Sequence, residues 1–325
     1  MLLTEAPREH TMISVIICTH NPRQDYLRRT LGALKMQTLP RDQWELLLID
    51  NSSDEPLAAV WDLSWHPQGR HLLERELGLT PARLCGIRES AGDLLVFVDD
   101  DNVLAADYLE AAAKLYSARP DLGVASGCLL PEYETPPPAW FGPYESWIAV
   151  RRIEASRWSN FFDPRSEPCG AGMCLRKEIA VKYLNRATAS AGQRILGRRG
   201  RSLLSGEDVA ITKVAIEMKY SMGQFVELKA THLIPSRRLS EEYLFTLYRN
   251  LQASGQVVGW VEDQQPLRWP NWRVFVKAAL RLLKGNRIER RLVVEEFRAL
   301  GLARNVIKEA ASRPAPTGPV ALQKS

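Results

Sequence analysis

Three adjacent carboxylates, Asp99, Asp100 and Asp101, directly follow an apolar run in the sequence. Like charges a few ångströms apart repel one another unless a cation lies among them. Because side chains alternate along a strand, Asp99 and Asp101 are expected to point the same way and to address one ligand together. Oxygen ligands of this kind suit Mg²⁺ or Mn²⁺, which also bind the phosphates of a substrate. A solvated acidic turn is the alternative for this segment alone.

Titratable side chains also stand at two later places. Glu207 and Asp208 begin a stretch with helical character, and the dipole of a helix stabilises carboxylates at its N-terminus. That electrostatic match is by itself a sufficient structural reason for both residues. His232 follows an apolar stretch, where a histidine is more often a hydrogen-bonded structural residue than a functional one. Neither place specifies a function without its surroundings.

The first half of the chain alternates short apolar runs with amphipathic stretches. This pattern is typical of strands that connect through helices into a parallel sheet. The predicted strands are residues 13–18, 44–49, 71–73, 93–98, 123–130 and 223–230, and the predicted helices are residues 24–37, 81–90 and 207–220. In such sheets ligands bind outside the carboxyl ends of the strands. The polar residues 19–21, 50–51 and 99–102 are therefore expected to converge on one crevice.

Two segments are predicted to be irregular. Residues 131–143 hold five prolines, which interrupt helices and central strands, so we expect a long loop there. Residues 186–206 are polar, basic and punctuated by glycine, which predicts a mobile surface loop. From Leu239 onward the pattern is helical, with an interruption at Trp269 and Pro270.

Several segments, read in order, resemble glycosyltransferase family 2. The segments that carry the resemblance are residues 14–22, Leu31, Gln37, residues 48–54, Gly78, Ala82, Arg83 and residues 97–101. Together they cover roughly residues 13–235, and their order and spacing are more specific than any single motif. The resemblance implies a GT-A type α/β fold, in which a mixed, mainly parallel sheet is flanked by helices, here with a helical C-terminal extension. It also implies an enzyme that transfers a sugar from a nucleotide diphosphate.

The resemblance assigns a set of residues to the nucleotide sugar, mainly at the strand ends and near the base. These residues are Thr19, His20, Asn21, Asp50, Arg83, Asp99, Asp100, Gly172, Arg237 and Arg238. Arg237 or Arg238 would offset the charge of the leaving diphosphate. Gly172 ends a turn of small residues that would lie beneath the transferred sugar. Met173 follows it where the family often has Asn, so the resemblance does not specify the sugar.

The resemblance also implies a metal site and a catalytic base. Asp101 would ligate the cation that bridges the diphosphate, with Asp99 and His232 as further ligands, and the imidazole weakly favours Mn²⁺ over Mg²⁺. Asp208 resembles the residue that removes a proton from the attacking hydroxyl, with Glu207 as its helper. Such a single displacement inverts the anomeric carbon. UDP and dTDP sugars are both compatible donors, and a UDP-sugar is the expected one.

The acceptor is expected to be a glycan or a lipid-linked molecule. Trp140, Phe141, Tyr144 and Trp147 lie in or beside the proline-rich segment and could stack on an acceptor sugar. Packing of that segment onto the domain is an equally good explanation of these aromatic residues. Assembly of surface polysaccharide or glycolipid is suggested by the habits of the family rather than by any residue.

The C-terminal helices are basic, with 12 Lys/Arg against 4 Asp/Glu between Gln265 and Arg313. A solvated helix face is the default interpretation of this charge. Peripheral attachment to an anionic membrane, where a lipid-linked acceptor is found, is the main alternative. Nucleic-acid binding is disfavoured because no recognised motif accompanies the charge.

The composition, 45% hydrophobic and 25% charged in 325 residues, is that of a globular protein. We expect a catalytic domain over residues 1–238, a basic helical extension over 239–312 and a disordered tail over 313–325. Five cysteines, an odd number at irregular spacing, favour a reducing compartment. No signal peptide or membrane span is expected near the N-terminus, so the expected location is the cytoplasm, with the inner face of the membrane for any peripheral contact.

Two other functions compete with that of a transferase. A dehydrogenase or a nucleotidyltransferase is disfavoured because the first strand ends in Thr19, His20 and Asn21 rather than in a G-x-G-x-x-G turn. A catalytically idle protein of the same fold, which only binds a nucleotide or glycan, is the second alternative. The joint presence of Asp101, Asp208 and His232 favours an enzyme.

Overall fold

Apolar strands and amphipathic helices alternate along the chain and assemble into one mixed sheet covered by helices. A computed structural model describes residues 11–190, 192–200 and 202–312 of the protein. The strands β1 to β9 are Ile13–Thr19, Trp44–Asp50, Gly69–Leu73, Leu94–Asp99, Asn102–Leu104, Leu122–Tyr133, Arg157–Ser159, Met173–Arg176 and Ser221–Ile234. The helices α1 to α9 are Gln24–Lys35, Leu57–Val60, Leu79–Glu89, Tyr108–Ala118, Lys177–Ala189, Glu207–Glu217, Glu241–Asp263, Trp272–Lys284 and Arg287–Ser312. Short 3₁₀ helices lie at Arg41–Gln43, Gly142–Ile148, Gln193–Ile195 and Ser236–Leu239.

Strands β1, β2 and β4 are buried along almost their whole length, which is why they read as continuous apolar runs. Strand β1 pairs in parallel with both β2 and β4, and its register places Thr19 opposite Asp50 and Cys18 opposite Asp99. The three strands therefore end at the same edge of the sheet. The predicted convergence of their polar ends is confirmed.

The second half of the sheet is mixed. Strand β8 lies antiparallel between β4 and β6, while β9 pairs in parallel with β6 and antiparallel with β5 and β7. The order across the sheet is β3-β2-β1-β4-β8-β6-β9-β5, with β7 also on β9. Parallel pairs hold most of the paired residues, so the predicted mixed, mainly parallel α/β sheet is confirmed.

Strand β6 continues into the segment that was predicted to be a loop, and it ends at Tyr133. Leu129 exchanges both of its backbone hydrogen bonds with Arg151. Because backbone groups alternate sides along a strand, Pro131 faces the same edge as Leu129, away from β9. Pairing with β9 therefore does not need the amide that proline lacks. The prediction of a loop is wrong for residues 131–133, and Gly142–Ile148 adds a short 3₁₀ helix at its other end.

Strand β9 is longer than predicted at both ends and includes His232. In the sheet, His232 is paired with Asn102 of β5 and with Pro131 of β6. The histidine therefore lies inside a strand, not after it. Strands β5 and β7 were not predicted, since each has only three residues, and helices α4 and α5 were not predicted either.

The segment over residues 186–206 is not the surface loop that its composition predicted. Helix α5 continues to Ala189, and Gln193–Ile195 form a 3₁₀ helix. Leu196 and Leu204 are buried. These two leucines pack the segment against the domain. The residues between them are mainly polar and basic, so the sequence shows no apolar periodicity that would predict this packing.

The C-terminal helices, which the helical pattern predicted, pack against the sheet domain. Val257 and Val258 of α7 and Ala299 of α9 belong to the same buried cluster as Tyr183 of α5 and Val214 of α6. No helix in the described part of the chain combines the length and the apolar composition that crossing a membrane requires. The predicted tail over residues 313–325 lies outside the described residues.

Candidate functional site

A cleft of about 720 Å³ opens at the carboxyl ends of β1, β2 and β4. It is bounded on the other side by the start of α6 and by the turn after β9. The predicted site residues that line it are Thr19, His20, Arg83, Asp99, Asp100, Asp101, Glu207, Asp208, Arg237 and Arg238. The structure thus brings together two acidic groups that are more than a hundred residues apart in the sequence.

The acidic run is held in place by the end of β1. The hydroxyl group of Thr19 donates a hydrogen bond to the carboxylate of Asp100. Burial raises the pKa of Asp100 to about 7, helped by the charges of Asp101 and Asp99, while the bond from Thr19 opposes the shift. Beside this group, Nδ1 of His20 lies 2.9 Å from the carbonyl oxygen of Asn51.

Asp101 forms a charged cluster with residues from the end of β9 and the turn that follows it. Its Oδ2 lies 3.0 Å from Nη2 of Arg238 and 3.4 Å from Nε2 of His232. Nη1 of Arg238 also lies 2.9 Å from Nε2 of His232, so the guanidinium, the carboxylate and this ring nitrogen are in mutual contact. Burial alone would raise the pKa of Asp101, but His232 and Arg238 hold it well below its usual range.

The pair Asp101 and His232 fits a divalent cation that is bound by few protein ligands. Oδ2 of Asp101 and Nε2 of His232 lie 3.4 Å apart, next to the guanidinium of Arg238, and His232 is buried behind the lining of the cleft. Asp99, predicted as a third ligand, lies instead 3.5 Å from Arg83. In the described ranges no three His, Cys, Asp or Glu side chains gather closely enough to hold a metal by themselves. Mg²⁺ and Mn²⁺ are commonly bound by one or two carboxylates together with substrate phosphates, which matches this arrangement.

Arg83 joins three parts of the cleft floor. Its Nη1 donates to Oε1 of Glu207 at 3.2 Å, and its Nη2 donates to the carbonyl oxygen of Gly170 at 3.2 Å. Thr80 donates to the other carboxylate oxygen of Glu207 at 3.1 Å. Burial raises the pKa of Glu207, which Arg83 and Thr80 counteract. Arg83 is 4% and Glu207 2% exposed, so this pair ties helix α3 to the start of α6 inside the protein.

Asp208 follows Glu207 in the first turn of α6 and lines the cleft. Its Oδ2 accepts a hydrogen bond from the amide of Gly170 at 3.3 Å, and its Oδ1 accepts one from the amide of Val209 at 3.0 Å. No ion pair within the described residues involves Asp208. Its carboxylate is therefore oriented by backbone amides at the border of the cleft.

Two residues predicted to contact the donor are bound to the protein instead. The carboxylate of Asp50 accepts hydrogen bonds from the amides of Ser53 at 2.8 Å and Leu57 at 3.0 Å. Asn21 exchanges hydrogen bonds with Asp54 at 3.1 and 2.9 Å. Neither Asp50 nor Asn21 lines the cleft. Both hold the loop after β2 in place.

The small-residue turn contributes a different glycine from the predicted one. Gly172 has a φ of +70°, and a Cβ there would lie 2.9 Å from the hydroxyl group of Tyr108. Gly170 lines the cleft, and a Cβ there would lie 3.2 Å from Nη1 of Arg83 and 3.6 Å from Cβ of Asp208. Gly172 therefore shapes the turn, whereas Gly170 allows the close approach of two site residues.

Arg151 and Arg198 line the cleft and were not predicted. Burial raises the pKa of Asp99, and the charges of Arg83 and, to a smaller extent, Arg198 oppose this shift. The adjacent arginines of the glycine-punctuated segment were a signal for Arg198. A single arginine after a 3₁₀ helix gave no comparable signal for Arg151.

The predicted aromatic group divides into two parts. Phe141 is fully buried and belongs to the core. Trp147 lines the cleft and stacks on Tyr248 of α7, with ring centroids 4.5 Å apart and an interplanar angle of 22°. Tyr144 lies beside Trp147, with centroids 4.8 Å apart. The C-terminal helices therefore help to shape the cleft.

Relatives of the chain are glycosyltransferases. The family described as "Glycosyl transferase family 2" matches residues 14–183, more than half of the chain. Glycosyltransferase AglE of Haloferax volcanii is 25% identical over 269 residues, which cover 82% of this chain and 78% of the relative. Validoxylamine A glucosyltransferase of Streptomyces hygroscopicus subsp. limoneus is 27% identical over 154 residues, which cover 45% of this chain and 34% of that protein.

The fold is also that of a solved glycosyltransferase. The mannosyltransferase PcManGT from Pyrobaculum calidifontis, in complex with GDP-Man and Mn²⁺, superposes with a TM-score of 0.50 at 19% identity, over 95% of this chain and 77% of that one. At this identity the likeness concerns the fold alone, and it agrees with the predicted GT-A type. The family match spans the strands β1 to β8, which carry the acidic run and the small-residue turn. The chain is a member of glycosyltransferase family 2 and is a transferase enzyme.

Proposed function

We propose that the enzyme transfers a sugar from a nucleotide-diphosphate donor, a UDP-sugar, to a hydroxyl group of the acceptor. The acceptor is a glycan or a lipid-linked molecule, and the transfer inverts the anomeric carbon. The observation that carries this proposal is the shared cleft of Asp101, Arg238 and Asp208. It offers charges of both signs for a diphosphate with its counterion, and a carboxylate free to accept a proton.

The donor would lie along the strand ends. Thr19 and His20 border the nucleoside end of the cleft, and the exposed Arg237 lies beside Arg238 at the other side. Two guanidinium groups offset the charge that develops on a departing diphosphate. Asp101 and His232 would hold Mn²⁺ or Mg²⁺, and a metal bound there supplies Lewis-acid stabilisation of the leaving group.

Asp208 would act as the general base. It accepts the proton of the acceptor hydroxyl as that oxygen attacks the anomeric carbon, and the bond to the diphosphate breaks in the same displacement. Because the proposal needs one carboxylate base and no protein nucleophile, it predicts inversion. Glu207 positions Asp208 by fixing the first turn of α6 through Arg83.

The acceptor would enter beside Trp147, whose ring borders the cleft and offers an apolar platform to a sugar. We place the enzyme in the cytoplasm, in the assembly of polysaccharide or glycolipid. A peripheral contact of the basic C-terminal helices with the inner face of a membrane would bring the cleft to a lipid-linked acceptor.

The test is calorimetric titration of the purified protein with UDP, dTDP and GDP, with and without Mn²⁺. We expect UDP to bind in a metal-dependent way and Asp101→Ala to abolish that binding. Asp208→Asn should keep the UDP affinity while the transfer rate falls about 100- to 10,000-fold. Asp107→Asn, an exposed residue before α4, is the matched control and should change neither quantity.

The outcomes separate the parts of the proposal. Metal-dependent binding of GDP in place of UDP would correct the nucleotide and leave the site intact. If no nucleotide binds the wild type in the presence of metal, the assignment of Asp101 and His232 to a diphosphate-bound cation is wrong. Retention of configuration in the product would exclude the single displacement with Asp208 as base.

A further inference from the structure

Helix α8, Trp272–Lys284, leaves most of its apolar side chains in solvent. Only Ala278 of its 13 residues is buried. Trp272 is 69% and Leu283 75% exposed, and Val276 and Leu280 are each close to half exposed. A surface helix ordinarily turns such residues toward the core. Contiguous exposed apolar surface of this kind marks a site of interaction.

The inner side of α8 is fixed by contacts with α9. The ring of Phe275 stacks on Phe297, with centroids 5.5 Å apart, and Nη1 of Arg281 lies 2.7 Å from the carboxylate of Glu296. At 3.6 residues per turn the side opposite Ala278 carries Trp272, Val276, Leu280 and Leu283, which we name the outward ridge. The ridge therefore faces away from the protein.

Cations border the outward ridge. Arg273, Lys277 and Lys284 are exposed and recur along one flank of the helix. Within the described residues none of the three forms an ion pair, whereas Arg291 and Arg298 of α9 both pair with Glu295. The sequence from 264 to 288 holds six Lys/Arg and no Asp/Glu. The charges on this flank of α8 are thus uncompensated, unlike those of Arg291 and Arg298.

We propose that the outward ridge inserts into the interface of an anionic membrane, with Arg273, Lys277 and Lys284 at the lipid phosphates. Tryptophan prefers this interface, and basic residues beside an apolar face are attracted to anionic lipid. The inference rests on the peripheral contact included in the proposed function, and it names the helix, the face and the lipid charge. A symmetric pairing of two copies through the same face would bring unpaired cations together, which disfavours that occupant.

The geometry connects this surface with the cleft. Helix α8 packs on α9, α9 packs on α7, and α7 contributes Leu251 to the lining of the cleft. Because α7 and α9 share buried contacts with the sheet domain and α8 packs on α9, attachment through α8 would hold the cleft at a fixed distance from the lipid. Such an arrangement suits an acceptor that is itself anchored in the membrane.

The test is flotation of the full chain with vesicles, at low and at high salt. One set is phosphatidylcholine alone, and in the other about a third of the lipid is phosphatidylglycerol. We expect binding only to the anionic vesicles and its loss at high salt. Trp272→Ser with Leu283→Ser, and Lys277→Glu with Lys284→Glu, should each lower the partition coefficient at least about tenfold.

The matched control for the serine variants is Met36→Ser, since Met36 follows the last residue of α1 and is 71% exposed. The matched control for the charge reversals is Lys182→Glu, since Lys182 is an exposed lysine of α5. Both should float as the wild type does. Every variant should keep the nucleotide affinity of the wild type, so failure of the membrane proposal and failure of the donor-site proposal are measured separately. Equal binding to neutral vesicles would overturn the role of the cations. A wild-type dimer that the serine double variant converts to a monomer, without vesicle binding, would show instead that a second copy covers the ridge.

Discussion

Glu207 and Asp208 are neighbours in the sequence, yet they stand in opposite environments. Glu207 is buried and engaged by Arg83 and Thr80, whereas Asp208 faces the cleft and is bound only by backbone amides. A buried pair whose partner is removed leaves an uncompensated charge. Substitution of Asp208 leaves no buried charge unpaired, because its carboxylate borders the cleft and has only backbone amides as partners.

We therefore predict that the two substitutions affect different properties. Glu207→Ala should lower the free energy of unfolding by about 3 to 5 kcal/mol, because Arg83 is left buried without its main counter-charge. Asp208→Asn should lower it by no more than about 1 kcal/mol, the usual value of a carboxylate at a helix N-terminus. Urea denaturation of both variants measures these differences. Equal losses would show that Asp208 is also part of the buried network.

Titration of Glu167 makes the stability of the folded protein depend on pH. Burial raises its pKa to about 7, helped by the charge of Asp208 and opposed by Arg151 and Lys213. Since the folded pKa lies above the ordinary value of 4.5, the folded state binds the proton more tightly than the unfolded state does. This contribution to stability is complete below pH 4.5 and is lost as the pH rises to about 7.

We expect Glu167→Gln to remove that contribution. Between pH 5 and pH 8, approximately the range that spans the two pKa values, the wild type should lose more of its melting temperature than the variant does. Thermal denaturation at several pH values checks this. Parallel curves for the two proteins would mean that Glu167 titrates normally in the folded state.

Among residues, the sequence could locate the reactive groups but not their partners. The acidic run and the Glu207–Asp208 pair both lie in the cleft, as expected. Asp50 accepts hydrogen bonds from amides of the loop after β2, and these bonds depend on the path of that loop. The spacing of residues in the sequence does not predict that path. The position of Arg238 between Asp101 and His232 likewise depends on how β9 meets β5.

Helix α6 depends on the glycine that precedes it. Gly206 has a φ of +119°, and a Cβ there would lie 2.3 Å from Cγ2 of Val258 on α7. A side chain at this position would be strained and would push the first turn of α6, with its two carboxylates, away from α7.

Gly206→Ala should therefore destabilise the fold by about 2 kcal/mol and also lower the transfer rate, because the first turn of α6 is displaced. Gly255→Ala is the matched control. A Cβ there meets nothing within 4 Å, and it lies inside α7, so the alanine should stabilise the protein by about 0.5 to 1 kcal/mol. Calorimetric melting and a transfer assay on both variants decide the matter, and an unaffected Gly206→Ala would contradict the packing of α6 on α7.

Among the secondary-structure elements, continuous apolar runs predicted the central strands correctly. The sequence did not predict which strands pair with one another. Strands β1, β2 and β4 were found because each is buried on both faces. The extension of β6 through Pro131 depends on which edge the proline faces, and the short β5 and β7 exist only because β9 lies beside them. Such elements are decided by contacts between distant residues, which local patterns do not contain.

The proposed boundary near residue 238 separates regions that share a core. Leu244 and Leu247 of α7 are buried with Phe141 and Ile148, and Ala303 of α9 is buried with the residues of α5. Truncation at that boundary would expose all of these apolar contacts to water.

We predict that a chain of residues 1–238 lacks a cooperative thermal transition, whereas a chain that ends at Ser312 melts as the full chain does. Differential scanning calorimetry on both chains distinguishes them. A sharp transition for residues 1–238 would show that the sheet domain is stable without the helices, and the catalytic domain would then be an independent unit.

The position of β9 has a consequence for the order in which the molecule forms during synthesis. This strand supplies partners for β5, β6 and β7, so none of these pairings can form before Ser221 has been made, and the pairing with β6 needs residues up to Ile234. Strands β1 to β4 can pair with one another before β9 has been made, and the carboxylates at their ends leave the ribosome long before Arg238 does. A nascent chain therefore holds Asp101 without the counter-charge of Arg238 until the last third of translation, and closure of the cleft is a late, non-local step of folding.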